Sequence, residues 1–433
     1  MNILKLHFDS RRKMKTSFKP EEYLMKIKIL LFTSLFVISS GTFANEPPNE
    51  LALLREQIKL LSQRLDQLES NAKTSVEAAA VTTVDKTEEI PQPKKSAKSA
   101  WYERIAFKAD FRDRYEYIDE KGKEIRQRNR VRLRAQFDMA VSENFGFTLG
   151  MATGADDPVS TNQSLDDAFS TKDLRLNLAY YNWKLNDEFT LIGGKMKNPF
   201  YIPTKNPIFW DGDLNPEGFA LAFDNKIIKA SLVVFDVEER KAETDTLLFG
   251  GQIYHPFKIN EESNLLAGLG YYDYDNIKGN QPLFDGKPKG NTLDENGDFA
   301  NDFNTFEVFV EYKTKLSEKP LSIYANYYQN TKADELDTAY TAGFLYGKVK
   351  GTGSWNLGLA YLDVEADAVF GLFNDSDFAG GNTDSKGMIL KAGYGLYNNM
   401  SLGLTYIDSE IGQSQLVQTE YDRLQLDYKI KFK

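Results

Sequence analysis

The 433-residue chain contains no cysteine, so disulfides, thiolate metal sites and cysteine nucleophiles are excluded. Histidine is nearly absent, with only His7 and His255, which leaves little for an imidazole-activated nucleophile. There is no basic excess either: 53 Lys and Arg stand against 63 Asp and Glu, a net charge of −10. A nucleic-acid binder needs a basic surface to neutralise phosphates, so that class is disfavoured. Mean hydropathy is −0.47, which in most proteins means soluble. A membrane β-barrel escapes that inference, because alternate residues of each strand are polar and no long apolar run is needed. Aromatic residues, by contrast, are plentiful, with 29 Phe and 23 Tyr.

The N-terminal region reads as three successive segments. Residues 1–44 form a leader in which residues 25–44, MKIKILLFTSLFVISSGTFA, have a lysine-bearing start, a short apolar stretch and a small-residue end. That is the pattern of a secretory signal peptide cut after Ala44. The apolar part falls short of the roughly 20 residues of a membrane-spanning helix. Residues 1–24 add nothing to the signal, so Met25 is an alternative start. Residues 49–70 then place Leu51, Leu54, Ile58, Leu61, Leu65 and Leu68 at alternating spacings of three and four. This is the a/d seam of a coiled coil, and it predicts self-association. Residues 71–100 lose all periodicity and end in Lys94, Lys95 and Lys98, as expected of a disordered linker.

From Trp101 onward the period is two. In residues 124–141, EIRQRNRVRLRAQFDMAV, Val131, Leu133, Ala135, Phe137, Met139 and Val141 fall on one parity, and Arg126, Arg128, Arg130, Arg132 and Arg134 on the other. Successive side chains of a strand point to opposite faces, so this ribbon has an apolar wall and an arginine wall. About sixteen such ribbons follow one another to the C-terminus, residues 219–223 being the shortest. Short connections (142–144, 186–188, 224–226, 256–264, 316–320, 350–354 and 397–399) alternate with longer ones, among them 152–171, 196–218, 276–302 and 364–385. An even strand number with short turns at one end and long loops at the other predicts an all-β, antiparallel transmembrane barrel over residues 101–433. In that arrangement apolar parities meet outer-membrane lipid, and the N-terminal region lies in the periplasm. Asp113 is an exception, a charge on the lipid-facing parity that calls for a bulge or an interface nearby.

Four stretches carry a resemblance to a known family: FRDRYEYIDEKGKEIRQRNRVRLR (111–134), TGADDPVSTNQS (153–164), GGKMKNPF (193–200) and WDGDLNPEG (210–218). They resemble the bacterial putative porins, over roughly Trp101 to the C-terminus and most strongly in the first half. The order of signal, coiled coil and barrel is similar, less closely, to phosphate- or polyphosphate-selective porins. The resemblance implies a sixteen-stranded outer-membrane porin, a homotrimer passing ions and small hydrophilic solutes, whose third long loop folds into the bore. It implies no residue roles.

From the residues themselves, the candidate lining comprises the five arginines named above, with Lys195, Lys197, Asp211, Asp213 and Glu217 at or on the loop 196–218. Acidic groups facing an arginine ladder would set a transverse field, and an arginine-dominated bore would favour anions. Alternatively, the arginines pair with Asp110, Glu116 and Asp173 and only brace the wall. A third function, of another kind, is a tether through the coiled coil to a periplasmic or cell-wall partner. No cofactor or metal site is expected: the run Asp211–Asn215 opens like a calcium loop but has Pro216 and Ala222 where Gly and Glu belong. His255, read as lying before a turn at Pro256, is badly placed for catalysis, so an enzyme is not expected.

Overall fold

Alternation along the chain becomes a closed sheet in a computed structural model, which describes residues 101–205 and 208–432. The expected leader, coiled coil and linker lie outside the described residues. Sixteen strands form the barrel. They are β1 (Ile105–Glu120), β2 (Arg126–Ala140), β3 (Phe145–Thr153), β4 (Leu174–Lys184), β5 (Phe189–Lys195), β6 (Glu217–Asp224), β7 (Lys229–Glu238) and β8 (Thr246–Lys258). Then come β9 (Asn264–Tyr274), β10 (Phe303–Leu316), β11 (Lys319–Asn330), β12 (Thr338–Gly347), β13 (Trp355–Val364), β14 (Ser385–Tyr397), β15 (Met400–Ile411) and β16 (Thr419–Phe432). A two-residue strand, Gln163–Ser164, pairs with Arg130 and Val131 from within a loop. Consecutive barrel strands are antiparallel neighbours. β1 closes the ring by pairing with β2 on one side (Arg112↔Arg132) and β16 on the other (Arg112↔Lys429). Closure leaves no sheet edge, which is what lipid demands of a spanning sheet.

The outward face follows the apolar parity. Leu133, Phe147, Leu232, Phe249, Leu269, Val308, Ile323, Leu359, Leu402 and Leu426 all remain exposed, as a hydrocarbon-facing band requires. Aromatic belts flank it. Near the short turns, Phe107 lies 4.9 Å from Phe137 and 5.6 Å from Phe432, Phe189 4.9 Å from Phe223, and Tyr346 5.5 Å from Trp355. Near the opposite end, Tyr340 lies 6.2 Å from Tyr361, with Tyr271, Tyr327 and Tyr406 also exposed. Rings that are apolar with a polar tip settle at such interfaces. Asp113 lies opposite Val131 and Tyr428 in an unbroken ladder. No bulge accompanies it, and Asp113 lies near the middle of β1 and not at either end.

Eight loops, L1 to L8, occupy the end away from the short turns: 121–125, 154–173, 196–216, 239–245, 275–302, 331–337, 365–384 and 412–418. Length asymmetry comes from L2, L3, L5 and L7, because the other four are themselves short. Several boundaries shift by a few residues from the sequence expectation, and two of the shifts change a reading. The ribbon at 219–223 extends to Glu217–Asp224. His255 and Pro256 lie inside β8, opposite Ala267 and Leu266, and not at a turn. The β7 ladder stops at Tyr254, so beyond it β8 has a neighbour on one side only, where proline's missing N–H costs least.

The interior is not evenly filled. L3, L5 and L7 fold inward and join the inner faces of β6 to β13 in an aromatic cluster. Phe209 packs 4.5 Å from Tyr272 and 5.5 Å from Tyr328, Phe200 packs 4.9 Å from Tyr272, and Phe370 lies 5.5 Å from Phe303. Each fully buried side chain of this size contributes roughly 1.5–3 kcal/mol, so L3 is held by packing against one wall. The opposite wall, β1, β2 and β16, carries the charges.

Candidate functional site

L3 begins and ends at two glycines. Gly194 and Gly218 face each other in the β5–β6 ladder with φ of 115° and 134°. A Cβ at either would collide with the carbonyl of Ala179 or Val234, so glycine is required where the loop turns inward. From there Met196, Phe200, Ile208, Phe209, Trp210 and Leu214 are all buried. The loop thereby delivers Asp213 to the arginine wall.

Asp213 is held by the β2 wall and by L2. Its Oδ1 accepts from Arg134 Nη1 at 3.0 Å and from Arg132 Nη1 at 3.4 Å. Its Oδ2 accepts from Thr161 of L2, from the hydroxyl at 2.9 Å and the amide at 3.3 Å. Burial pushes this carboxyl up, but Arg132, Arg134 and Arg112 outweigh it and keep it below the usual carboxylate range. Asp211, two residues earlier, makes the opposite kind of contact. It accepts from the amides of Asp213 (2.6 Å) and Ser376 (2.9 Å), joining L3 to L7. Burial and the neighbouring Asp375 push it well up, favouring its neutral form. Asp375 is likewise raised, by burial and by Asp377.

The remaining arginines form a second cluster closer to the loop end. Glu116, fully buried, accepts from Arg128 Nε at 2.5 Å, Arg423 Nη2 at 2.8 Å and Arg114 Nη1 at 3.4 Å, with Arg130 Nη1 at 3.7 Å. Asp427 of β16 takes Arg114 through Nε (2.6 Å) and Nη2 (3.0 Å), the two-pronged geometry that suits guanidinium. Asp377 of L7 lies 3.0 Å from Arg114 and 2.7 Å from Arg423. Asp110 bridges Arg132 and Arg134, both at 2.9 Å. Arg112 is 7% exposed, pairs in register with Arg132 and Lys429, and donates only to Asn162. Among the described residues no carboxylate lies within ion-pair distance of it. This wall thus sets Arg112, Arg114, Arg128, Arg130, Arg132, Arg134, Arg423 and Lys429 against Asp110, Glu116, Asp213, Asp377 and Asp427.

The ten residues expected to line the bore therefore divide. Arg132, Arg134, Asp211 and Asp213 meet at the L3–L2–L7 junction, and Arg128 and Arg130 meet at Glu116. Arg126 is exposed at the mouth of β2. Lys197 lines the chamber on the short-turn side, and burial pulls its ammonium down. Lys195 and Glu217 pair with each other at 2.8 Å, on the outward parity that also carries exposed Phe219. The expected bracing pairs form at Asp110 and Glu116, whereas Asp173 pairs with Arg175. Arg112, Arg114, Arg423, Asp377 and Asp427 belong to the same network and were not singled out from the sequence. Among the described residues no three His, Asp or Glu converge as a metal-ligand set.

Two spaces flank the Asp213 bridge. On the short-turn side a chamber of about 780 Å³ is lined by Lys108, Arg134, Lys197, Lys205, Lys391 and Trp210, among others. On the loop side lies a smaller cavity of about 180 Å³ bounded by Arg128, Arg130 and Arg423.

Among solved structures, the fold is similar to the high-pH structure of OprB from Pseudomonas putida. The TM-score is 0.51 at 13% identity, over 76% of this chain and 94% of that one. A structure of OmpF from Salmonella typhi in complex with daunomycin covers 75% of this chain and 97% of that one, at 10% identity and a TM-score of 0.49. No curated protein matches the sequence. The family model described as Putative porin matches residues 118–316 and 292–432. The chain belongs to the putative porin family, the porin-like barrel channels of the bacterial outer membrane.

Proposed function

We propose that this barrel is a passive diffusion channel in which ions and small hydrophilic solutes travel along the arginine wall, past a constriction made by L3. The observation that carries the reading is Asp213, which an inward-folded loop clamps between Arg132 and Arg134. The ion pairs fix the loop against the arginine wall, and the wall's charges act at short range on a solute that passes beside them. Outward-facing leucines and aromatic belts support a lipid-embedded barrel, with the long loops at the external face. A homotrimer is the assembly we expect from the porin reading.

A preference for anions has its own support. Eight cations face five carboxylates on the wall described above. Reversal potentials across a KCl gradient test this. Arg130→Glu combined with Arg132→Glu should lower the anion preference, and an unchanged reversal potential would count against this wall as the selective element. Tethering through the coiled coil remains compatible with conduction. Deleting residues 51–100 should loosen the envelope and leave conductance unaltered if that role exists.

A further inference from the structure

The cavity on the loop side of the Asp213 bridge is more than the mouth of the passage. Four cations line it: Arg128, Arg130, Arg423 and Lys289. They come from β2, β16 and L5, so the fold gathers them from distant parts of the chain. One carboxylate, Asp157, also borders the space, and it accepts from the amide of Val159 in its own loop at 3.0 Å.

The four cations are unequally compensated. Arg128 and Arg423 take the close positions on Glu116, at 2.5 and 2.8 Å. Arg130 is left with the same carboxylate at 3.7 Å and with 3.3 Å hydrogen bonds to Ser160 Oγ and the Asn162 carbonyl. Its buried Nε has no acceptor among the described residues. Among the described residues Lys289 has only Asp285, at 3.6 Å. A guanidinium and an ammonium without a close carboxylate thus border one small space. Burying a charge is costly unless it is paired and hydrogen-bonded, so a bound anion would relieve both.

Shape narrows the anion's class. On the L7 side, Gly380 and Gly381, with φ of 65° and 87°, leave the wall without side chains. A space of about 180 Å³ is larger than a single halide fills and admits a tetrahedral oxyanion together with bound water. Guanidinium donors arrayed as a planar fork match the oxygen edges of phosphate or sulfate, and an ammonium adds a point charge.

We propose that this cavity is a binding site for a tetrahedral oxyanion, inorganic phosphate or sulfate, held by Arg130 and Lys289 on the loop side of the Asp213 bridge. The inference deepens the anion-preferring reading and rests on it for its role in transport, but not for its occupancy. Calorimetric titration of the detergent-solubilised full chain with sodium phosphate, sodium sulfate and sodium chloride tests occupancy directly. Saturable heat with phosphate and sulfate, and none with chloride, is expected. Arg130→Gln and the loop substitution Lys289→Gln should each weaken binding at least tenfold, while Lys241→Gln in exposed L4 should leave it unchanged. Absence of saturable heat in the wild type, equal affinity for chloride, or full binding in both cavity variants would overturn the site. A bilayer recording separates this from the function reading. If calorimetry shows the site while reversal potentials show no anion preference, the site stands and that reading falls. If anion preference appears without oxyanion heat, the site falls alone.

Discussion

Asp213 lies 3.0 Å from Arg134, with one residue on an inward-folded loop and the other on the barrel wall. Arg134 also holds Asp110 at 2.9 Å, so the loop is fastened to an ion-pair network that exists without it. Asp213→Asn should therefore leave the barrel intact and free the loop. Losing an acceptor that serves charged donors costs roughly 1–3 kcal/mol, enough to populate open loop positions. Single-channel recordings should show larger or noisier conductance and a stronger anion preference, because a negative charge has left the wall. A trace identical to wild type would mean that the loop is held by packing alone.

Packing is the other anchor of L3, and Glu307 lies at its base. This carboxylate is 3% exposed and accepts from Tyr272 (2.7 Å), Gln252 (3.0 Å), Asn326 (3.0 Å) and Tyr328 (3.0 Å). Tyr272 in turn supports Phe200 and Phe209. Glu307→Leu orphans these donors, each at a cost of about 1–3 kcal/mol. It should lower the thermal unfolding midpoint and expose Trp210 to fluorescence quenchers. Glu307→Gln, which keeps an acceptor, should do so less.

The L3–L7 seam should respond to pH in a defined direction. Asp211 and Asp375 are raised above their unfolded values. Their contribution is thus complete below the ordinary carboxylate range and fades as pH rises through the raised values. Asp213 and Asp377 are lowered, so their contribution is lost in the opposite direction, as pH falls below the ordinary range. Amide exchange at residues 373–378, corrected for intrinsic rates, should rise in the wild type as pH is raised from the ordinary carboxylate range through the raised values. Asp375→Asn should flatten that rise. A rise that persists unaltered would show that another group controls the seam.

Lipid contact is testable at Val308, exposed on the outward parity of β10. Val308→Arg should destabilise refolding into vesicles by roughly 2–4 kcal/mol if the position is near the bilayer midplane. Unfolding titrations measure this, and a neutral result would place Val308 in water.

Much of this arrangement can be read from period-two alternation, which identifies the strands, their outward faces and the arginine wall of β2. Parity also speaks for Lys195: counting by twos from Phe189 places it outward, beside Glu217. The partnership of Arg114 with Asp427 spans most of the barrel sequence and depends on ring closure. The signal was present even so, since closure makes the first and last strands neighbours, and Arg423, Gln425 and Asp427 share the polar parity. The L7 contacts are different. Asp211 meets Ser376 only because two irregular loops fold against each other, and no periodicity reports on that. Pro256 misleads for a local reason, because a proline in a strand usually marks a turn, and here it falls where β8 has lost one neighbour.

The most direct measurement is planar-bilayer recording of the purified full-length protein in a KCl gradient. The expected result is ohmic conductance in repeated steps, with a reversal potential on the anion-selective side. Barrels that insert and stay electrically silent, or that conduct with clear cation preference, would contradict an arginine-lined diffusion channel.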